Sequence, residues 1–312
     1  MKRSLLITGG FGFLGLNLQK YIKENNLKDH YNFHIPTSKQ FNCLNIENMR
    51  TFVENKKIDI ILHMAAKCGG ILANKNSPAD FLKDNTIMGL NVYEIAREYG
   101  VNKVYGIGTT CAYPMNCPTP FKEKDLWNGF PEATNAAYAQ SKRTLLMLGN
   151  SYRDQYGIGG AHLIPANMYG IMDSFDLTNS HVIPALIRKF LEALSRDEKE
   201  VRLWGTGGAS REFLFAQDCC DAIMKAIDLN IDERLPINIG NGKEILISDL
   251  AEKIKKLTRY DGSIVYTGEV SDGQPRRRLD VSRARRILKF SAKTKLDDGL
   301  KKVIHYYQSL KV

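Results

Sequence analysis

Seven residues near the start of the chain, Gly9-Gly10-Phe11-Gly12-Phe13-Leu14-Gly15, restrict its fold more than any other stretch. They follow Ser4-Leu5-Leu6-Ile7-Thr8, which reads as a short buried strand. They lead into an amphipathic run whose apolar face includes Leu18, Tyr21 and Ile22. The order is strand, glycine-rich turn, helix. Gly9 allows a tight turn, Gly12 lets backbone approach a pyrophosphate, and Gly15 lets the helix pack close to the strand. The helix N-terminus, with Phe13 and Leu14 in its first turn, then faces the phosphates. The spacing is GxxGxxG, and a bare glycine triplet also serves as a plain structural turn. Its place directly behind a buried strand is what points to dinucleotide binding.

The rest of the chain keeps that rhythm for about half its length. Strand-like runs at 4–8, 31–35, 58–64, 104–107 and 160–164 alternate with helical patterns near 14–25, 46–55, 79–100 and 137–157. Such alternation predicts an α/β fold with a mostly parallel, doubly wound sheet. After residue 170 the pattern changes to helices near 181–197, 218–229, 247–258 and 295–309, separated by short strands and glycine turns. We expect a cofactor domain over 1–170, a return of the chain to it around 211–240, and a smaller C-terminal α/β substrate lobe over 171–312. A chain of 312 residues is long enough for two such cores.

The chemistry concentrates in Ala136-Ala137-Tyr138-Ala139-Gln140-Ser141-Lys142. Tyr138 and Lys142 are four apart, so on a helix they share a face. An ammonium beside a phenol favours the phenolate and brings a pKa of about 10 towards the working pH. Glycine turn and YxxxK together resemble the extended short-chain dehydrogenase/reductase family, whose fold is a Rossmann sheet. That resemblance implies a third hydroxyl beside the Tyr and Lys. Thr109, in Gly108-Thr109-Thr110-Cys111-Ala112-Tyr113-Pro114 after the apolar run 104–107, takes its place.

In NAD-binding folds an acidic residue after the second strand bonds the ribose 2′-hydroxyl. Here Tyr31-Asn32-Phe33-His34-Ile35 is followed by Pro36-Thr37-Ser38-Lys39-Gln40, with no acid. Ser38 and Lys39 suit a 2′-phosphate, which favours NADP(H). Phe11 speaks the other way, since related NADP enzymes often carry an arginine at that turn position.

Further stretches narrow the resemblance. They include Ala65-Ala66-Lys67-Cys68-Gly69-Gly70-Ile71, Pro165-Ala166-Asn167-Met168-Tyr169-Gly170, Asn179-Ser180-His181-Val182-Ile183-Pro184, Trp204-Gly205-Thr206-Gly207, Arg211-Glu212-Phe213-Leu214 and Asp272-Gly273-Gln274-Pro275-Arg276. In this order they are similar to the GDP-L-fucose synthase family, over roughly residues 4 to 309. The resemblance implies NADPH-dependent reduction of a GDP-4-keto-6-deoxy-sugar at carbon 4, with epimerisation at carbons 3 and 5. It implies Cys111 as base and His181 as acid for the epimerisation. Thr109 and Tyr138 would bind the oxyanion, and Lys142 would hold the nicotinamide ribose. Asn167, Lys189, Trp204, Arg211 and Arg276 become candidate substrate contacts, with Arg suited to bidentate phosphate binding. Ala112, where a larger apolar residue is usual, is expected to widen the pocket near the sugar. A 6-deoxy-heptose in place of the hexose is one reading of that change. A reductase acting on an already epimerised sugar is the alternative activity.

Other classes fit less well. The formal charge of +10 is spread along the chain apart from Arg276-Arg277-Arg278 and Arg283, Arg285 and Arg286. It suits a funnel for anionic ligands, or a diffuse lysine-rich surface, better than nucleic acid. No stretch reaches the ~20 apolar residues of a membrane span. With a strand predicted from residue 4, no leader is expected. The six cysteines show no paired metal spacing, so no metal is expected. Cys219-Cys220 read as buried thiols, and a cytoplasmic, reducing setting follows. A cofactor-sensing binding protein would have no need of Thr109, Tyr138 and Lys142. A nucleotide-sugar epimerase or dehydratase that recycles bound NAD would be expected to carry acids near Thr109. The family resemblance adds a homodimer through two helices of each subunit.

Overall fold

The structure is a computed structural model that describes residues 2–177, 180–268 and 273–310. Asn179 and Asp272, from two of the motifs above, lie outside the described residues. The N-terminal half alternates β1 (Arg3–Thr8), α1 (Phe13–Glu24), β2 (Tyr31–His34), α2 (Ile46–Val53), β3 (Ile60–His63), α3 (Ile71–Asn76), α4 (Pro78–Glu98), β4 (Lys103–Ile107), α5 (Ala136–Tyr156) and β5 (Gly159–Pro165). Local signals set several ends. Asn45 caps α2 by accepting the Asn48 amide at 3.1 Å, Pro78 opens α4, and Gly157 at φ +71° closes α5.

The C-terminal half continues with β6 (Asn167–Tyr169), α6 (Val182–Ser195), β7 (Glu200–Leu203), β8 (Ser210–Phe215), α7 (Ala216–Asp228) and β9 (Ile237–Ile239). It ends with β10 (Glu244–Leu246), α8 (Ile247–Thr258), β11 (Ser263–Tyr266), β12 (Arg276–Arg277), α9 (Ser282–Ile287) and α10 (Leu296–Ser309). The main sheet is parallel throughout, in the order β2-β1-β3-β4-β5-β9. Residues two apart on a strand share a face. Leu5, Ile7 and Leu62 therefore meet Leu18 and Ile22 of α1 and Ile223 and Ile227 of α7. Leu6, Ile61 and Val104 face the other way, into Met49 of α2, Val92 of α4 and Leu145 of α5. Cys219 and Cys220 are buried in α7, as the sequence suggests.

A third core joins Ile187 and Phe190 of α6 to Phe213 of β8, Leu250 and Ile254 of α8, and Leu300 and Val303 of α10. Its sheet centres on β8, which pairs with β10 antiparallel and with β6 and β12 parallel. From β8 the chain runs straight into α7, which packs on α1, and then into β9 at the edge of the main sheet. In the main sheet, strand order reverses between β1 and β3, so their carboxyl ends flank a crevice. That crevice is where ligands bind in open α/β sheets. Among the described residues no helix is long and apolar enough to cross a membrane.

Candidate active site

The glycine turn occupies that crevice. Gly9 has φ +70°, and a Cβ there would lie 2.6 Å from the Ala65 amide nitrogen, so the turn lies directly on the loop after β3. The Gly12 amide closes the turn on the Gly9 carbonyl at 3.1 Å. A Cβ at Gly15 would sit 2.3 Å from the Gly9 oxygen and 2.4 Å from the Gly10 carbonyl carbon, whereas one at Gly12 would meet only the Gly9 oxygen, at 3.5 Å. Gly15 thus serves packing, and Gly12 leaves the helix mouth open. Phe13 and Leu14 begin α1, which has neither a side-chain cap nor an acid in its first turn. That is the environment an anion requires. Below it, Thr8 Oγ1 lies 2.9 Å from His63 Nδ1 and accepts the amides of Met64 and Ala65 at 3.2 and 3.1 Å. Burial and the nearby Lys142 charge hold His63 at a pKa of about 3. Ser38 and Lys39 sit exposed in the tight turn after β2, where the Thr37 carbonyl accepts the amides of Gln40 and Phe41 at 3.0 Å.

Tyr138 lies in the first turn of α5, with its ring edge-to-face on Phe81 at 6.1 Å. Its hydroxyl is 3.2 Å from Cys68 Sγ. Lys142 is buried, with Nζ 5.9 Å from the centre of the Tyr138 ring, and donates to the Ile107 carbonyl at 3.0 Å. This corrects one expectation. The spacing predicts that Lys142 draws the tyrosine down towards neutrality. In the structure desolvation, then Cys68 and Cys111, push Tyr138 well above 10. The ammonium is directed at a backbone carbonyl, and its own pKa is lowered by burial.

Thr109 accepts the Cys111 amide on Oγ1 at 3.2 Å and so caps the single turn 110–112. Cys111 Sγ in turn accepts Arg277 Nη1 at 3.2 Å. Arg277 is buried and donates from Nε to Gln274 Oε1 at 3.0 Å. Gln274 Nε2 reaches the carbonyls of Met115 and Pro114 at 2.8 and 3.2 Å, which straps 274–277 over the loop after β4. Arg276, the residue singled out from sequence, points away on β12 to an exposed ion pair with Glu244. Ala112 differs from expectation as well. It is buried in the core, and its carbonyl accepts Arg143 Nε at 2.8 Å. Its small side chain therefore shapes the core and not the cleft.

His181 caps α6, its side chain half exposed, with Nδ1 3.6 Å from Oδ2 of buried Asp173. The nearby Asp173 carboxylate is the main cause that raises its pKa above 6.5, against opposing desolvation. Farther out, Asn167 Nδ2 donates to the Glu212 carbonyl at 3.1 Å and Arg211 Nη1 to the Ser210 carbonyl at 2.7 Å. Lys189 Nζ lies 5.0 Å over the half-exposed Trp204 ring and donates to the Arg202 carbonyl at 2.8 Å. Burial lowers the Lys189 pKa. Glu212 accepts the amides of Gly242 and Leu279 at 2.8 and 2.7 Å, and burial raises its pKa. Arg277, Asp173 and Cys68 are the three residues that sequence reasoning missed. Among the described residues no cluster of metal-ligating side chains is present.

Turn, sheet and the Tyr138–Lys142 helix define a nucleotide-binding enzyme of the Rossmann type. Residues 5–240 match the NAD dependent epimerase/dehydratase family, and the chain belongs to it. It is 33% identical over 304 residues to GDP-L-colitose synthase of Yersinia pseudotuberculosis, covering 97% of each chain. It is 40% identical over 256 residues to GDP-L-fucose synthase of Sinorhizobium fredii, covering 82% of this chain and 81% of that one. Among solved structures, a GDP-6-OMe-4-keto-L-xylo-heptose reductase from Campylobacter jejuni superposes with a TM-score of 0.90 at 27% identity, covering 99% of this chain and 98% of that one.

Proposed function

We propose that this protein reduces the 4-keto group of a GDP-4-keto-6-deoxy-sugar with NADPH and epimerises carbons 3 and 5 of the same sugar. One observation carries the reading. Tyr138 stands in the first turn of α5, and α5 packs on the 110–112 turn that carries Cys111, so a proton donor and a candidate base stand at one cleft. The names of the relatives support the substrate class. The open N-terminus of α1 suits the cofactor diphosphate, and Ser38 and Lys39 would meet the 2′-phosphate. NADPH bound there supplies the hydride delivered to carbon 4.

The chain's own groups do the rest. Thr109 and Tyr138 hydrogen-bond the carbon 4 oxygen, and Tyr138 gives it a proton during reduction. A ketone at carbon 4 acidifies the hydrogens on carbons 3 and 5. Cys111 removes one, and His181, whose protonated form Asp173 favours, returns a proton on the opposite face. Lys142 reaches the nicotinamide ribose. Arg277 steadies the Cys111 sulfur. Asn167, Lys189, Trp204 and Arg211 hold the GDP moiety and sugar. The half-exposed His181 and the heptose reductase among the relatives favour one second reading, reduction alone of an already epimerised hexose or heptose. The exposed Leu82 and Leu90 on α4 and Met147 on α5 support a homodimer through these two packed helices. Six free thiols support a cytoplasmic setting.

Incubation with GDP-4-keto-6-deoxy-mannose in D2O, with and without NADPH, tests the proposal by mass spectrometry of the sugar. Deuterium gained without NADPH is the expected result, together with NADPH oxidation in the paired sample. NADPH oxidation with no solvent deuterium at carbons 3 and 5 would select the reductase-only reading. No change in either sample would sink both for this sugar, and the heptose analogue follows.

A further inference from the structure

Cys68 has no part in the chemistry above, yet its Sγ lies 3.2 Å from the one hydroxyl that chemistry turns on. The residue is exposed. Its loop is pinned on both sides. The Lys67 amide donates to Asn85 Oδ1 at 2.8 Å, and Asn85 Nδ2 returns a bond to the Lys67 carbonyl at 3.0 Å. Lys67 Nζ is 3.1 Å from both Asp80 and Asp84 of α4. Asn74 Nδ2 holds the carbonyls of Gly69 and Gly70 at 2.9 and 3.0 Å. The thiol is therefore presented to Tyr138 by fixed backbone.

We propose that Cys68 is a positioning residue, the resting partner of the Tyr138 hydroxyl, which the incoming keto oxygen must displace. The inference rests on the functional reading above. A hydroxyl engaged with a thiol is less free for a ketone, so Cys68 opposes ground-state binding. It also keeps the phenol protonated until substrate arrives. Among the described residues, the loop after β3 brings Cys68 to Tyr138, the loop after β4 brings Cys111, α5 brings Lys142, and α4 brings the non-titrating Phe81. Both thiols raise the phenol pKa, while Lys142 is turned to Ile107. Loss of Cys68 removes a group that raises that pKa, so the phenol must ionise at lower pH.

The test compares Cys68→Ala and Cys68→Ser with wild type in NADPH oxidation across pH. In Cys68→Ala the KM for the keto-sugar falls about threefold, the scale of one competing hydrogen bond. Its high-pH limb moves down by about half a pH unit or more. Cys68→Ser, which keeps a hydrogen-bonding hydroxyl but no ionisable thiol, restores the wild-type KM. An unmoved limb and KM in Cys68→Ala, or a Ser variant with the KM of the Ala variant, overturns the proposal. A second arm needs no substrate. Alkylation of Cys68 by iodoacetamide, followed by peptide mass spectrometry, slows about two- to threefold in Tyr138→Phe as the thiolate loses the phenol that donates to it. An unchanged rate also overturns it. If wild type oxidises no NADPH with the sugar, the functional reading fails, and the alkylation arm still decides the contact.

Discussion

At the nucleotide end of the cleft the geometry is main-chain geometry. Residues 9–15 hold their shape because carbonyl oxygens and amides leave no room for a Cβ at Gly9 or Gly15. At the sugar end the geometry is made by side chains from distant segments. Arg277 is held on Cys111 across 166 residues, and Asp173 on His181 across a loop. The first kind of site is rigid in any sequence that folds this way. The second can be retuned one side chain at a time. This explains how one sheet serves relatives named for fucose, colitose and heptose.

The largest expected effect breaks the sugar end while sparing the other. Tyr138→Phe keeps the ring on Phe81 but removes the proton donor. NADPH oxidation should fall by about 10²–10⁴-fold, with NADPH affinity unchanged in a fluorescence titration. Retention of activity within tenfold would mean that another group protonates carbon 4.

A pair of glycine variants then separates packing from binding at the nucleotide end. Gly15→Ala drives a methyl into backbone and should cost about 2–3 kcal/mol in urea unfolding. Gly12→Ala has only the 3.5 Å contact to Gly9 and should shift stability by less than about 1 kcal/mol. Its methyl instead occupies the helix mouth, so NADPH binding should weaken at least tenfold. Equal destabilisation by both would erase the distinction.

Asp173→Asn probes the side-chain end by pH. Asp173 raises the His181 pKa, so its loss lets the imidazole deprotonate at lower pH. An acid must carry its proton. Deuterium incorporation should therefore fall about tenfold at pH 8 and little at pH 6, a split that simple misfolding does not produce.

The last comparison is one of acid sensitivity. His63 and His162 have folded pKa values of about 3, below the ordinary 6.5. Between those values the unfolded chain binds the protons, so stability falls as pH falls, by up to about 1.4 kcal/mol per unit for each histidine. Glu212, on β8, has the opposite sign. Its raised pKa means that the folded state takes up a proton first, which relieves its burial cost as pH drops. Urea midpoints from pH 7 to 5 should decline, and His162→Asn should flatten the decline.

What the sequence makes legible follows the same division. The glycine turn, the β/α alternation and the Tyr138–Lys142 spacing are local, and each leaves a period or a motif. β6 to β12 span only two to six residues each, too few for alternation to stand out. Three consecutive arginines cannot announce which one a two-residue strand turns inward. Arg276 is the natural choice from the motif, yet Arg277 reaches the sulfur. Cys68 and Asp173 act through space on residues far along the chain or across an irregular loop, and no periodicity marks them. Lys142 is the reverse case. Its position is legible, but its direction is set by the Ile107 carbonyl, which no spacing rule contains.

The path of the chain through β8, α7 and β9 bears on how the protein is made. All seven residues of β5 are buried in the finished sheet, and β9 is the strand that covers its outer edge. On the ribosome β5 emerges about 70 residues ahead of β9, several seconds at ~5–20 residues per second. Through that interval an apolar strand offers open hydrogen-bonding groups to any neighbouring chain. The late return of β9 gives this enzyme a window, during each round of translation, in which chaperone capture and self-association compete for the same edge.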